Sequence, residues 1–82
     1  MVNLRTYFET LGEAKDEARK LVPTGYILNE DDYFTLQHLS YGTTGSIHAR
    51  MTTPKGVEAK RWLHVIIYRL DSGRYELTAY LG

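Results

Sequence analysis

The stretch Arg61-Trp-Leu-His-Val-Ile-Ile-Tyr-Arg-Leu70, then Asp71-Ser72-Gly73, then Arg74-Tyr-Glu-Leu-Thr-Ala-Tyr-Leu81 decides the fold. Both arms are rich in β-branched and aromatic residues, and a short glycine-containing connection joins them. That combination predicts a β-hairpin. Asp-Ser-Gly suits a three-residue loop in which Gly73 takes the left-handed position and lets the ladder resume. Alternation sorts the side chains of the two arms. Leu63, Val65, Ile67, Leu77, Ala79 and Leu81 form one set. Trp62, His64, Ile66, Tyr68, Glu76, Thr78 and Tyr80 form the other.

Working outward, residues 2–8 alternate apolar and polar and predict a strand with Val2, Leu4 and Phe8 facing the core. Thr10-Leu-Gly-Glu13 matches a capping box and opens a helix that runs to about Val22. Leu11, Ala14, Ala18 and Leu21 fall on one stripe of that helix, which therefore packs on the sheet. Acidic residues early and basic residues late complement its dipole, and Asp16 and Lys20 are spaced as an i,i+4 pair. Pro23 and Gly25 end it.

Residues 26–41 admit two readings. Asn29 could cap a second helix, with Leu28 stapled to Tyr33. However, Tyr33, Phe34, Leu36, Leu39 and Tyr41 scatter around a helical wheel, and the segment's residue types favour strands. The expectation adopted is a short strand end at Tyr26-Ile27-Leu28, an acidic loop over 29–32, and a strand from Tyr33 to Tyr41. Its inward set switches, across a bulge, from Phe34 and Leu36 to Leu39 and Tyr41. Gly42-Thr-Thr-Gly45 then reads as a hairpin loop. Ser46 to Thr53 reads as one strand with Ile47, Ala49 and Met51 inward, and Thr53-Pro-Lys-Gly56 as a turn. Val57 to Lys60 either extends the long strand or forms a flap. The expected architecture is α+β: a single domain over 1–82, in two layers. One helix packs on a mostly antiparallel sheet of four to five strands, in the order β-α-β-β-β-β.

Composition narrows the function classes. Eighty-two residues with no cysteine exclude a disulfide scaffold or a thiolate metal centre. A chain this short buries only about 60–65% of its unfolded surface, enough for one core. Ten basic and ten acidic residues balance. That argues against an acidic DNA mimic, and equally against a binder held to nucleic acid by charge. No long apolar segment suggests a signal peptide or a membrane span, so the expected setting is the cytoplasm. Tyrosine occurs seven times and phenylalanine twice. Tyrosine is common at recognition surfaces, being large and stiff with a polar end.

One helix covers one face of a sheet, so the set containing Trp62, His64, Tyr68 and Tyr80, extended by His48 and Arg50, is left over. These six residues are the candidate binding site, since Trp, Tyr and Arg are enriched where interfaces concentrate their energy. The plain alternative is a wet sheet face with scattered aromatics. Other constellations carry less chemistry. His48 and His64 are placed to be cross-strand neighbours and could serve as general acid and base beside Arg50; two ordinary strand histidines look the same in sequence. The three histidines show no convergent metal spacing. Glu30-Asp31-Asp32 lacks the glycine and distal glutamate of a calcium loop. Gly42 to Gly45 is too short for a phosphate loop and precedes a strand. Lys55, Lys60, Arg61 and Arg69, with aromatics beside them, are a modest basic set suited to single-stranded RNA. No catalytic residue, cofactor or metal ligand is assigned.

Two resemblances follow from these residues. The layout seen in Thr10-Leu-Gly-Glu-Ala-Lys, Thr53-Pro-Lys-Gly56 and the Trp62 to Tyr80 hairpin resembles the small phage-encoded inhibitors of bacterial immunity, the anti-CRISPR proteins. That resemblance implies a stoichiometric inhibitor that occludes a surface of a protein partner within a nucleoprotein defence complex. The run His64-Val-Ile-Ile-Tyr-Arg-Leu-Asp-Ser-Gly-Arg-Tyr-Glu-Leu is similar to the C-terminal hairpin of RelE-type ribonuclease toxins. It implies roles for Arg50, Arg61 and Tyr80 in a basic, aromatic active site, although the neutral charge departs from that family's pattern. A homodimer through the leftover face is a third expectation.

Overall fold

The computed structural model describes residues 6–33 and 35–82. A four-stranded antiparallel sheet runs in the order β1-β6-β5-β3. Its strands are β1 (Tyr7–Phe8), β6 (Tyr75–Leu81), β5 (Leu63–Arg69) and β3 (Thr44–Ala49). A two-stranded ribbon pairs β2 (Ile27–Leu28) with β4 (Met51–Thr52). Helix α1 (Leu11–Arg19) packs on the main sheet, and α2 (Glu30–Tyr33) is a single helical turn beside β3. The α+β architecture is the expected one. One extra helical turn and one extra short strand are added to the β-α-β-β-β-β order.

The hairpin forms as its residues dictate. Leu63 pairs with Leu81 and Arg69 with Tyr75 in an unbroken register. Gly73 has φ 94° and donates its N–H to Leu70 O at 2.9 Å, closing the three-residue loop. Beyond Leu63 the ladder gains one more rung, because Trp62 and Gly82 exchange two backbone bonds of 3.1 Å.

Thr10 caps α1 by accepting from Glu13 N at 3.1 Å. The helix ends earlier than expected: Lys20, Leu21 and Val22 bond to the carbonyls three residues before them, tightening the last turn. Lys20 joins Glu17 at 3.0 Å, and Asp16 lies 3.7 Å from Arg19, where Asp16 and Lys20 had been the anticipated pair. Of the first strand, Phe8 is buried as expected, while Val2 and Leu4 lie outside the described residues.

The larger correction concerns residues 29–41. The acidic stretch is helical, not a loop, and residues 35–41 form no strand. Asn29 Oδ1 accepts from Asp32 N at 3.1 Å, in the manner of a cap. Leu28 and Tyr33 are both buried. Thr35 then donates its hydroxyl to Asp32 O at 2.8 Å, a local bond that competes with helix propagation. Residues 35–41 run as irregular chain, and side chains take carbonyls that a strand neighbour would otherwise occupy. Lys15 Nζ donates to Leu36 O at 2.8 Å, and Arg69 Nη1 to Leu39 O at 2.7 Å. Leu36 and Leu39 are buried as anticipated, Phe34 lies outside the described residues, and Tyr41 is 61% exposed.

Gly45 is correspondingly not a loop residue. It sits in β3 opposite Ile67. A Cβ there would lie 2.6 Å from Leu36 and 2.8 Å from Leu39, so glycine permits their close approach. The single strand expected over 46–53 is two strands. At Arg50 the chain leaves β5 and joins β2 as β4. Residues 53–56 turn with Gly56 at φ 88°, and Ala59 N returns to Met51 O at 2.8 Å, so the flap is a small hairpin on β4.

The core lies between α1, the side chains of Leu28, Tyr33, Leu36 and Leu39, and one face of the main sheet. Ile47, Ala49, Leu63, Val65, Ile67, Tyr75 and Leu77 are buried on that face. Ala14 and Ala18 of α1 are fully buried against it. Tyr33 is fully buried too: its hydroxyl donates to Lys15 O, its ring lies 4.5 Å from the Arg19 guanidinium, and burial pushes its phenol well above the ordinary range.

Candidate functional site: the open sheet face

Register arranges the other face in rows. Tyr7, Glu76, Tyr68 and Thr44 make one; Thr78, Ile66 and Ser46 the next; Tyr80, His64 and His48 the third. Trp62 follows, beside Gly82. Every described side chain of this face is exposed or half-exposed, including Trp62 at 38%, Ile66 at 37% and Tyr80 at 49%. Of the six candidate residues, five share it: Trp62, His64, Tyr68, Tyr80 and His48. Tyr68 is half-buried, the least accessible of its aromatics.

Arg50 does not join them. It stands at the corner between β3 and β4, and its guanidinium binds Asp32 through Nε at 3.0 Å and Nη2 at 3.2 Å. Its backbone N–H reaches the same carboxylate at 3.0 Å, and its carbonyl accepts from Asn29. These bonds hold the Asp32 carboxyl below the usual carboxylate range, the guanidinium contributing most. Arg19 does the same for Glu30 through a bidentate contact, one arm of which is 2.8 Å. The acidic triplet is thus the anchor of α2, and two of its carboxylates already face arginines.

The expected RNA-contacting set also changes. Arg69 points to the core face, over the rings of Tyr41 at 4.1 Å and Tyr75 at 5.2 Å. Its burial leaves Nε without a hydrogen bond, though Nη1 holds the Leu39 carbonyl. Lys55, Lys60 and Arg61 remain exposed.

The two histidines meet as anticipated. Trp62 bonds to Gly82, so even-numbered residues of β5 direct their backbone groups to β6, and His64 opposite His48 is a non-hydrogen-bonded pair. Side chains come closest in such pairs. His64 Nδ1 lies 3.1 Å from His48 Nδ1, with the rings at 83°. His64 Nε2 lies 3.0 Å from Gly82 O, and Tyr80 stacks on the His64 ring at 4.8 Å and 12°. Hydrogen-bond logic assigns the neutral tautomers. The Gly82 oxygen only accepts, so His64 carries its proton on Nε2. Its Nδ1 is then an acceptor and His48 Nδ1 the donor. The one ring nitrogen of the pair left with an uncommitted lone pair is His48 Nε2, on an exposed side chain.

A second feature was not anticipated: a groove of about 460 Å³ beside the flap. Pro23, Tyr26, Met51, Val57, Ala59 and Leu81 line it, with Glu58, Lys60 and Arg61 at hand. It exists because the 53–56 turn folds residues 57–59 back onto β4, a pairing that short-range pattern does not encode. Among the described residues no helix is long and apolar enough to cross a membrane. Set against protein-family models, curated proteins and solved structures, the chain gives no match.

Proposed function

We propose that this chain is a non-enzymatic protein-binding module that docks through its open sheet face, acting as a phage-type stoichiometric inhibitor of a bacterial defence complex. The observation that supports the reading is the alignment of exposed Trp62, Ile66 and Tyr80 along one face whose residues the core does not need. Such side chains offer large contact area at low entropic cost because they have few rotatable bonds and sit on a rigid ladder. The layout resemblance to anti-CRISPR proteins, drawn from sequence, supplies the inhibitor class. Affinity capture from bacterial lysate with the wild-type chain, repeated with folded Trp62→Ala and Tyr80→Ala, tests it. Loss of a specifically retained partner at a cost of about 2 kcal/mol or more in affinity is expected of a central aromatic. Undiminished capture by both variants refutes this face. A mass above the monomer in light scattering, abolished by Ile66→Arg, would instead assign the face to self-association.

A ribonuclease reading has one observation in its favour, the 3.1 Å approach of His48 and His64. The cation assigned to it, Arg50, is engaged by Asp32. Incubation with RNA separates the two: cleavage that disappears in His64→Ala would replace the binding-module reading.

A further inference from the structure

The histidine pair has the geometry of a chelate. Two nitrogens bound to one ion at about 2.0–2.1 Å stand about 2.9 Å apart at a right angle and about 3.3 Å apart at the tetrahedral angle. The Nδ1 atoms of His48 and His64 are 3.1 Å apart, between these limits. His64 is already prepared as a ligand. Its Nε2–H donates to the Gly82 oxygen, the arrangement that fixes the tautomer and orientation of metal-bound histidines. Gly82 is itself held by its two bonds to Trp62, and the Tyr80 ring lies flat on the imidazole. The ring is therefore held with its Nδ1 edge toward His48, within reach of an ion seated beside the line between the two nitrogens.

We propose that His48 and His64 form a two-nitrogen site for a borderline divalent transition-metal ion on the open face. The ion seats to one side of the line between the two Nδ1 atoms. His48, the exposed ring of the pair, turns to aim its Nδ1 at it. The proton on His48 Nδ1 transfers through solvent to Nε2, so the pair binds without net proton release. Among the described residues no group of three or more His, Cys, Asp or Glu is placed to hold a metal. Water fills the remaining positions, and the ion exchanges readily. Imidazole donors select copper, nickel and zinc over magnesium and calcium, with copper tightest.

The test uses the isolated full chain, with no partner present, so its outcome is independent of the docking reading. Calorimetric titration with Cu2+, Ni2+, Zn2+ and Mg2+ is run on the wild type and on His48→Asn, His64→Asn and His38→Asn. Imidazole nitrogen NMR follows which ring atoms shift. One equivalent of Cu2+ should bind, then Ni2+ and Zn2+ more weakly, with no heat from Mg2+. Zn2+ should shift both Nδ1 resonances. Either variant of the pair should weaken Cu2+ by about tenfold or more, since even outer-shell changes act on that scale, and His38→Asn should not. His48 is exposed, so His48→Asn decides the matter should His64→Asn fail to fold. Absence of Cu2+ binding, or equal affinity in wild type and His48→Asn, overturns the site.

Discussion

Ile66 and Ile67 are neighbours of identical chemistry that face opposite ways. Ile67 is fully buried between Leu77 and Gly45; Ile66, between Thr78 and Ser46, is 37% exposed. The whole sheet repeats that contrast. One face is filled by α1 with Leu28, Tyr33, Leu36 and Leu39, and the other carries Trp62, Tyr80 and the histidine pair in the open. The difference teaches that β-propensity and hydrophobicity do not identify the core in this chain. What decides is which face the covering elements reach. It also separates residues that hold the fold from those free to act on something else.

The largest effect should come from the buried member of the pair. Ile67→Ala should cost about 2–5 kcal/mol by urea denaturation, while Ile66→Ala should cost about 0.5 kcal/mol or less. Comparable losses at the two positions would mean that the open face is covered in solution. Gly45→Ala probes the same packing from the other direction. A Cβ 2.6 Å from a Leu36 methyl and 2.8 Å from a Leu39 methyl forces those two buried side chains to repack, with an expected loss of about 1–3 kcal/mol. Tyr33→Phe keeps the buried ring and removes the hydroxyl that serves the Lys15 carbonyl, an expected loss of about 1 kcal/mol.

A smaller effect follows pH. The folded Asp32 and Glu30 carboxyls are held below their ordinary values by Arg50 and Arg19. Their contribution is present above the unfolded carboxylate pKa of about 4 and is lost as pH falls through the lower folded values. The urea midpoint of Asp32→Asn should therefore fall less between pH 5 and pH 2 (a range of about three units around that pKa) than that of the wild type. Smallest of all, Trp62→Ala should move stability by about 0.5 kcal/mol or less while removing partner capture. A large loss of stability there would make the aromatic row part of the fold and not a docking surface.

The residues around the hairpin show how far local pattern reaches. Alternation from Leu63 to Leu81 assigned both faces correctly, because a strand's period of two is a property of its own backbone. Thr10 and Gly73 were legible for the same reason, since a cap and a three-residue loop are closed by neighbours in sequence. The expected strand over 33–41 failed where two of its carbonyls, those of Leu36 and Leu39, are taken by Lys15 and Arg69, 21 and 30 positions away. Arg50 was assigned to the open face by counting in twos, but the chain changes sheets at that residue, and counting does not survive a corner. The groove beside the flap had no signal, because it is made by chain folding back on chain.

By itself, the sequence determined the α+β class, the capped helix, the hairpin register and the meeting of His48 with His64. The first three rest on short-range periodicity, local hydrogen bonds and antiparallel pairing across a tight turn; the histidines meet because β3 and β5 are neighbours in the sheet, although β4 and the flap lie between them in the chain. Only the tertiary structure decided that residues 30–33 are a helical turn and 35–41 irregular chain, that Arg50 and Arg69 serve the fold, and that Trp62, Ile66 and Tyr80 stand exposed together. Each of these depends on which distant group satisfies a backbone carbonyl, a carboxylate or an apolar face. A buried polar group takes whatever partner the packing supplies.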